Sequence, residues 1–153
     1  MQRRIAFGRA QWVGFPVLLL LPILAILGVF GERQTQATVR TADVELRVQW
    51  PTRTRHERIH EIDVVVRNVS ARVIDTLTVG FDTTYLAGFS AVSVTPGAAR
   101  AWEVELAGMR PGETRRVVVD IDAQRYGPYA GFVTADANGP DTARVRIHTF
   151  IFP

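Results

Sequence analysis

The sequence predicts an all-β domain of seven to eight strands preceded by one transmembrane α-helix. Three observations carry that expectation. Residues 12–30, WVGFPVLLLLPILAILGVF, contain no charged side chain. Beyond them, apolar and polar residues alternate at period two in one segment after another. Gly, Pro and Asn turn signals separate those segments roughly every eight to twelve residues, the spacing of all-β folds.

The apolar run is just long enough for a helix to cross the ~30 Å hydrocarbon core, which takes about 20 residues. A helix on the surface of a small soluble domain keeps a polar face, and this run has none. Residues 1–11 form a basic tail in which Arg3, Arg4 and Arg9 meet no acid. By the positive-inside rule the tail is cytoplasmic and the rest of the chain lies outside. The arginines are expected to reach lipid headgroups, with Trp12 and Phe30 marking the ends of the span. Residues 30–34, FGERQ, offer no small-x-small cleavage site, which favours a retained anchor over a signal peptide. The residues flanking Arg3-Arg4 match a twin-arginine signal poorly. Pro16 and Pro22 fall inside the span, where a proline removes a backbone donor and tends to kink a helix. Gly14 and Gly28 are small enough for close helix approach but do not form GxxxG. The span is equally readable as a lone anchor in lipid and as a helix packed on other membrane helices.

Residues 31–42, GERQTQATVRTA, lack apolar periodicity and read as a linker. Strands follow. In 43–50, Val44, Leu46, Val48 and Trp50 share one face, and Pro51 is expected to end the strand. Ile62, Val64 and Val66 mark the next strand, and Leu77, Val79 and Phe81 the one after it. Tyr85 to Gly88 reads as irregular, and 89–94 as a short edge strand. Trp102, Val104 and Leu106 precede the Pro111-Gly112 turn; Val117, Val119 and Ile121 follow it. Residues 129–135 and 143–152 flank Asn138-Gly139, a hairpin signal. In the last strand Val145, Ile147, Thr149 and Ile151 are expected inward. The domain spans 43–153, close to the ~100 residues of an immunoglobulin-like β-sandwich. The chain has no cysteine, so it lacks the inter-sheet disulfide of antibody domains, along with thiolate metal sites and cysteine nucleophiles.

Four segments occur in an order that resembles a known family: 66–70 VRNVS, 102–104 WEV, 106–113 LAGMRPGE and 126–131 YGPYAG. Together they are similar to bacterial extracytoplasmic immunoglobulin-like modules of the CARDB type, over about 43–135. The resemblance implies a β-sandwich that acts as a spacer, adhesion or interaction module and not as an enzyme.

Charge and motifs narrow the function further. Outside the tail, fifteen arginines face all fifteen acids, and no lysine is present. That balance argues against nucleic acid as a partner, because no basic stripe is evident once the tail is set aside. His56-Glu57-Arg58-Ile59-His60 matches H-E-x-x-H, which binds zinc when its histidines lie one helical turn apart. Here the motif runs into a strand pattern, where the two histidines would lie ~13 Å apart at ~3.3 Å per residue. Asp136, Asn138 and Asp141 offer oxygens of the kind calcium takes, or simply form a polar turn. Asn68-Val69-Ser70 fits the glycosylation sequon. No cofactor motif is evident. Tyr126, Tyr129, Phe150 and Phe152 are candidates for a partner surface, since Phe150 and Phe152 alternate out of phase with Val145 and Ile147; burial on both faces is the equal alternative. The expected role is a non-catalytic accessory subunit of a larger membrane complex, respiratory or photosynthetic, bound to integral membrane subunits and lipid. Its anchor would sit in the bacterial inner membrane and its domain in the periplasm. The alternatives are a free anchored adhesion module and a zinc hydrolase using His56, Glu57 and His60.

Overall fold

A computed structural model of the chain describes residues 9–26, 31–97, 100, 102–139 and 141–153. The chain divides into two compact units, Met1–Gly31 and Glu32–Pro153.

The first unit contains one helix, α1 (Arg9–Ile26), which includes Pro16 and Pro22. It starts before the expected Trp12. At 1.5 Å per residue its 18 residues rise about 27 Å. Among the described residues no helix is long and apolar enough to cross a membrane. Arg3, Arg4 and Phe30 lie outside the described residues, and Arg9 and Trp12 are described only as helical backbone. Phe15, Leu18, Leu19, Leu20, Ile23 and Ile26 are each half or more exposed.

The second unit is all-β. Its strands are β1 (Arg33–Arg40), β2 (Val44–Arg55), β3 (Ile59–Asn68), β4 (Ile74–Phe81), β5 (Phe89–Thr95), β6 (Glu103–Met109), β7 (Thr114–Ala123), β8 (Gly127–Asp136) and β9 (Ala143–Phe152). A single helical turn, α2 (Thr83–Leu86), follows β4. The strands form one curled sheet in the order β5-β7-β3-β2-β9-β8-β4-β6, with β1 paired to β2.

β2 is the strand on which the sheet turns. Val44–Gln49 pair antiparallel with β3, whereas Arg53–Arg55 pair parallel with β9. Pro51 was expected to end this strand and does not. It lies between the two ladders, where a missing N–H removes no bond to β3 or β9. The stretch expected as a linker instead forms β1, which pairs with β2 from Arg33↔Arg53 to Arg40↔Glu45. Its residues are polar enough to hide the strand from a hydrophobic pattern, although Ala37 and Val39 pack on the core. Among the described residues nine strands therefore replace the expected seven to eight.

The alternation is otherwise realised. Val44, Leu46, Val48, Trp50, Ile62, Val64, Val66, Leu77, Val79, Val117, Val119, Ile121, Val145 and Ile147 join one buried cluster. Both halves of the sheet line that core, so it lies inside the curl. The turn read as irregular buries Tyr85 and Leu86, and the Asp82 carboxylate caps α2 by accepting from the Thr84 amide at 2.8 Å. Gly131 makes room for this helix: a Cβ there would lie 2.7 Å from the Tyr85 Cβ.

Among the described residues three polar ones are buried. Thr54 donates to its neighbour's carbonyl, that of Arg55, at 3.2 Å. Thr149 donates to the Pro51 carbonyl and contacts the Tyr85 hydroxyl at 2.7 Å, so α2, β9 and the changeover in β2 share one hydrogen-bond chain. Burial pushes the Tyr85 hydroxyl well above its usual pKa. Asn68 donates to the Arg72 carbonyl at 2.8 Å and the Met109 carbonyl at 3.0 Å. Its own carbonyl side chain accepts from the Ser70 amide, and its backbone pairs with Gly112 and Glu113. One side chain thus ties the β3–β4 turn to the Pro111-Gly112 turn, where Gly112 has φ 76°. The Arg110 amide, followed by Arg115, holds the Glu113 carboxyl below its usual pKa. The ionised form favours this turn; its contribution is present above the unfolded pKa and is lost as pH falls through the folded one.

Replacing Thr149 by Val keeps the shape but strands the Pro51 carbonyl and the Tyr85 hydroxyl. Thermal denaturation should show a loss of about 1–3 kcal/mol, several degrees in Tm for a domain of this size. An unchanged Tm would show that the chain of hydrogen bonds is not holding the changeover.

Candidate functional site

Sheet curvature gives the domain two outer faces, and charge is distributed unequally between them. On β9 the outward positions are Arg144, Arg146, His148, Phe150 and Phe152, with the residues between them buried. No acid occupies any of these positions. On the second half of β2 the outward residues are Arg53 and Arg55. Register places them beside the aromatics: Arg53 faces Phe150 and Arg55 faces Phe152. β1 adds Arg33, the ladder partner of Arg53. β8 adds Pro128, Ala130 and Phe132, opposite Phe150, His148 and Arg146.

The aromatic rings hold the cations. The Arg144 guanidinium carbon lies 3.4 Å from the centre of the Phe132 ring, and that of Arg55 lies 5.8 Å from Phe152, the geometry of cation–π contact. His148 is fixed at its carbonyl by the Trp50 indole N–H at 3.0 Å. Arg33, Thr35, Thr52, Arg53, His148 and Phe150 line an open recess of about 350 Å³. Among the described residues no carboxylate pairs with Arg33, Arg55, Arg144 or Arg146, whereas Arg72, Arg115 and Arg116 are each paired with an acid.

The outer face of β3 and β7 carries Glu61, Asp63, Asp120 and Asp122 together with Arg67 and Arg116. Glu61 sits opposite Asp120, and Ile59 opposite Asp122. Asp63 accepts from the Arg116 guanidinium at 2.6 Å, and that contact raises the arginine's pKa. The balanced count of arginines and acids therefore hides a local cluster of arginines on β1, β2 and β9. The expectation of no basic stripe is corrected: strand pairing assembles one from three separate segments of the chain.

Among the expected partner-surface residues, Phe150 is 50 % exposed and Tyr126 58 %. Phe152 is half-buried beneath Arg55. Tyr129 is also half-buried and packs inward on the core. Its ring lies 5.9 Å from Phe89 and covers Gly88, where a Cβ would lie 2.6 Å from the ring. Tyr126 stands apart from the basic face, 4.8 Å from the His56 ring.

The H-E-x-x-H segment spans the β2–β3 turn, neither a helix nor a continuous strand. Glu57 has φ 58°, so the chain reverses between the histidines. The His56 Nε2 lies 3.2 Å from the Gln124 carbonyl, while the His60 Nε2 lies 3.9 Å from Glu32. Among the described residues no three potential ligands converge. In the β8–β9 turn the Asp136 carboxylate accepts from the Asn138 amide at 2.8 Å, which is turn chemistry. Asn68 of the sequon is fully buried, with its amide hydrogens committed, so it presents no acceptor for a glycan.

No protein-family model matches the chain, and no curated protein matches it. Among solved structures it is similar to a CARDB domain from Pyrococcus furiosus determined in complex with di-metal ions. The identity is 13 % and the TM-score 0.45, over 78 % of this chain and 93 % of that one. It is also similar, at 11 % identity and a TM-score of 0.40, to part of a β-glucosidase from Listeria innocua, with 80 % of this chain covering 16 % of that one. At these TM-scores neither likeness carries an argument about fold, metal or activity.

The divergent surroundings of His56 and His60 give an expected outcome. Equimolar zinc should leave the Tm of the purified protein within a degree, and His60→Ala should not alter that result. A zinc-dependent rise of several degrees that is lost in His60→Ala would restore the metal-site reading.

Proposed function

We propose that the chain is a non-catalytic accessory subunit of a larger membrane complex. Its apolar run is the anchor and its all-β unit an immunoglobulin-like sandwich on the periplasmic side of a bacterial inner membrane. One observation carries the reading: α1 exposes six large apolar side chains, Phe15, Leu18, Leu19, Leu20, Ile23 and Ile26, and no described position on it is buried. Water is a poor solvent for such a helix, and lipid or neighbouring membrane helices are good ones. In the sequence the apolar run 12–30 continues through Leu27, Gly28, Val29 and Phe30, and about 20 apolar residues are what a membrane span takes. The outer domain then contributes a surface, with Arg55, Arg144, Arg146 and Phe150 prominent on it.

A free anchored binding module is the second reading, and the basic and aromatic face favours it as much as it favours a subunit. Extraction in mild detergent followed by native-gel separation distinguishes the two. The accessory-subunit reading expects migration in fixed ratio with multi-span proteins. Migration as a lone 17.0 kDa chain would contradict it and favour the free module. Release from membranes by alkaline carbonate would contradict the anchor itself.

A further inference from the structure

We infer that the basic and aromatic face built from Arg33, Arg53, Arg55, Arg146 and Phe150 docks onto an anionic phospholipid surface, the bilayer in which the chain is itself anchored. The inference rests on the anchor reading above and deepens it: the domain lies against the membrane by a defined face.

Connectivity is the first argument. Arg33 opens β1 three residues beyond Phe30, the end of the apolar run. Three residues reach at most about 10 Å, so an anchored chain holds Arg33 at the headgroup level. Register then brings the rest of the face with it. Arg33 pairs with Arg53, and Arg53 with Phe150. At about 4.8 Å per strand spacing, Phe150 lies roughly 10 Å from Arg33 across the sheet.

Chemistry is the second argument. Arg33, Arg55 and Arg146 are exposed and, among the described residues, carry no carboxylate partner. Arg53 already has a contact within the protein and adds its charge. The guanidinium fork matches phosphate oxygens. A half-exposed phenylalanine beside several arginines suits the boundary between headgroups and acyl chains. On the outer face of β3 and β7, Glu61, Asp120 and Asp122 stand among the arginines and would be repelled by an anionic surface, whereas the outward positions of β9 carry no acid.

The test uses the full chain. It has no cysteine, so Ala130→Cys, at an exposed position opposite His148, provides a single attachment site for a polarity-sensitive fluorophore. The labelled chain is reconstituted into nanodiscs of phosphatidylcholine alone, or with about 30 % phosphatidylglycerol, on the order of physiological anionic surface charge. A blue-shifted, quencher-protected label in anionic discs only, reversed by ~0.5 M salt, is the expected result. The double variant Arg55→Gln/Arg146→Gln should weaken the docked population roughly fivefold per arginine. Arg47→Gln/Arg67→Gln, on the other outer face, should leave it unchanged. A label that stays in water in both discs overturns the inference while leaving the anchor intact. So does protection that appears only when an acidic protein partner, or a second copy of the chain, is added. A chain that fails to enter discs of either kind overturns both readings.

Discussion

The structure depends on one strand changing partners without breaking. β2 runs beside β3 for its first half and beside β9 for its second, and this shared strand lets a single sheet curl around a single core. Pro51 marks the changeover, and Thr149 closes it by donating to the Pro51 carbonyl while its hydroxyl also meets Tyr85. Buried polar groups are costly unless paired, so this chain of contacts fixes the relation of the two halves more sharply than apolar packing would. It also sets the outer surface. Once Arg53 is aligned with Phe150, the arginines of β1, β2 and β9 have to share a face.

That consequence links fold to function. A strand with one buried face displays every second residue together, and β9 spends its outward positions on Arg144, Arg146, His148, Phe150 and Phe152. The rings of Phe132 and Phe152 support two of the guanidinium groups. The outer face of β3 and β7 mixes Glu61, Asp63, Asp120 and Asp122 with Arg67 and Arg116. A domain that is formally neutral therefore still gathers one cluster of arginines with no acid among the outward positions of β9.

The core was legible in the sequence because period-two alternation is a strong signal where one face is buried: Val44 to Trp50, Ile62 to Val66 and Val145 to Ile151 all point as the pattern requires. β1 was not legible, because Gln34, Gln36, Thr38 and Arg40 carry little apolar contrast and only its pairing with β2 makes it a strand. Pro51 misled because the rule that proline ends strands assumes a continuous ladder on both sides. α2 is one turn long, too short for a helical period. The histidine motif was misplaced for a local reason: Glu57 takes a left-handed conformation, which the strand pattern on either side does not reveal. Half of the candidate surface was readable, since Phe150 and Phe152 alternate out of phase with the core. The arginines that join them come from distant segments, and only register brings those together. Tyr129 looked like a surface aromatic and is packing against Phe89 and Gly88. The motif resemblance also has a physical content: Asn68 and Pro111-Gly112 are the two ends of one hydrogen-bonded clamp.

The account as a whole turns on where the apolar helix resides. The most direct measurement is the depth of a nitroxide spin label at Ile23→Cys in the otherwise cysteine-free chain, reconstituted into a lipid bilayer. Relaxation enhancement by oxygen, which partitions into hydrocarbon, is compared with that by a water-soluble nickel chelate. Strong oxygen and weak nickel enhancement at Ile23 is predicted, placing α1 in the hydrocarbon. Strong nickel and weak oxygen enhancement would put this helix in water and contradict the account.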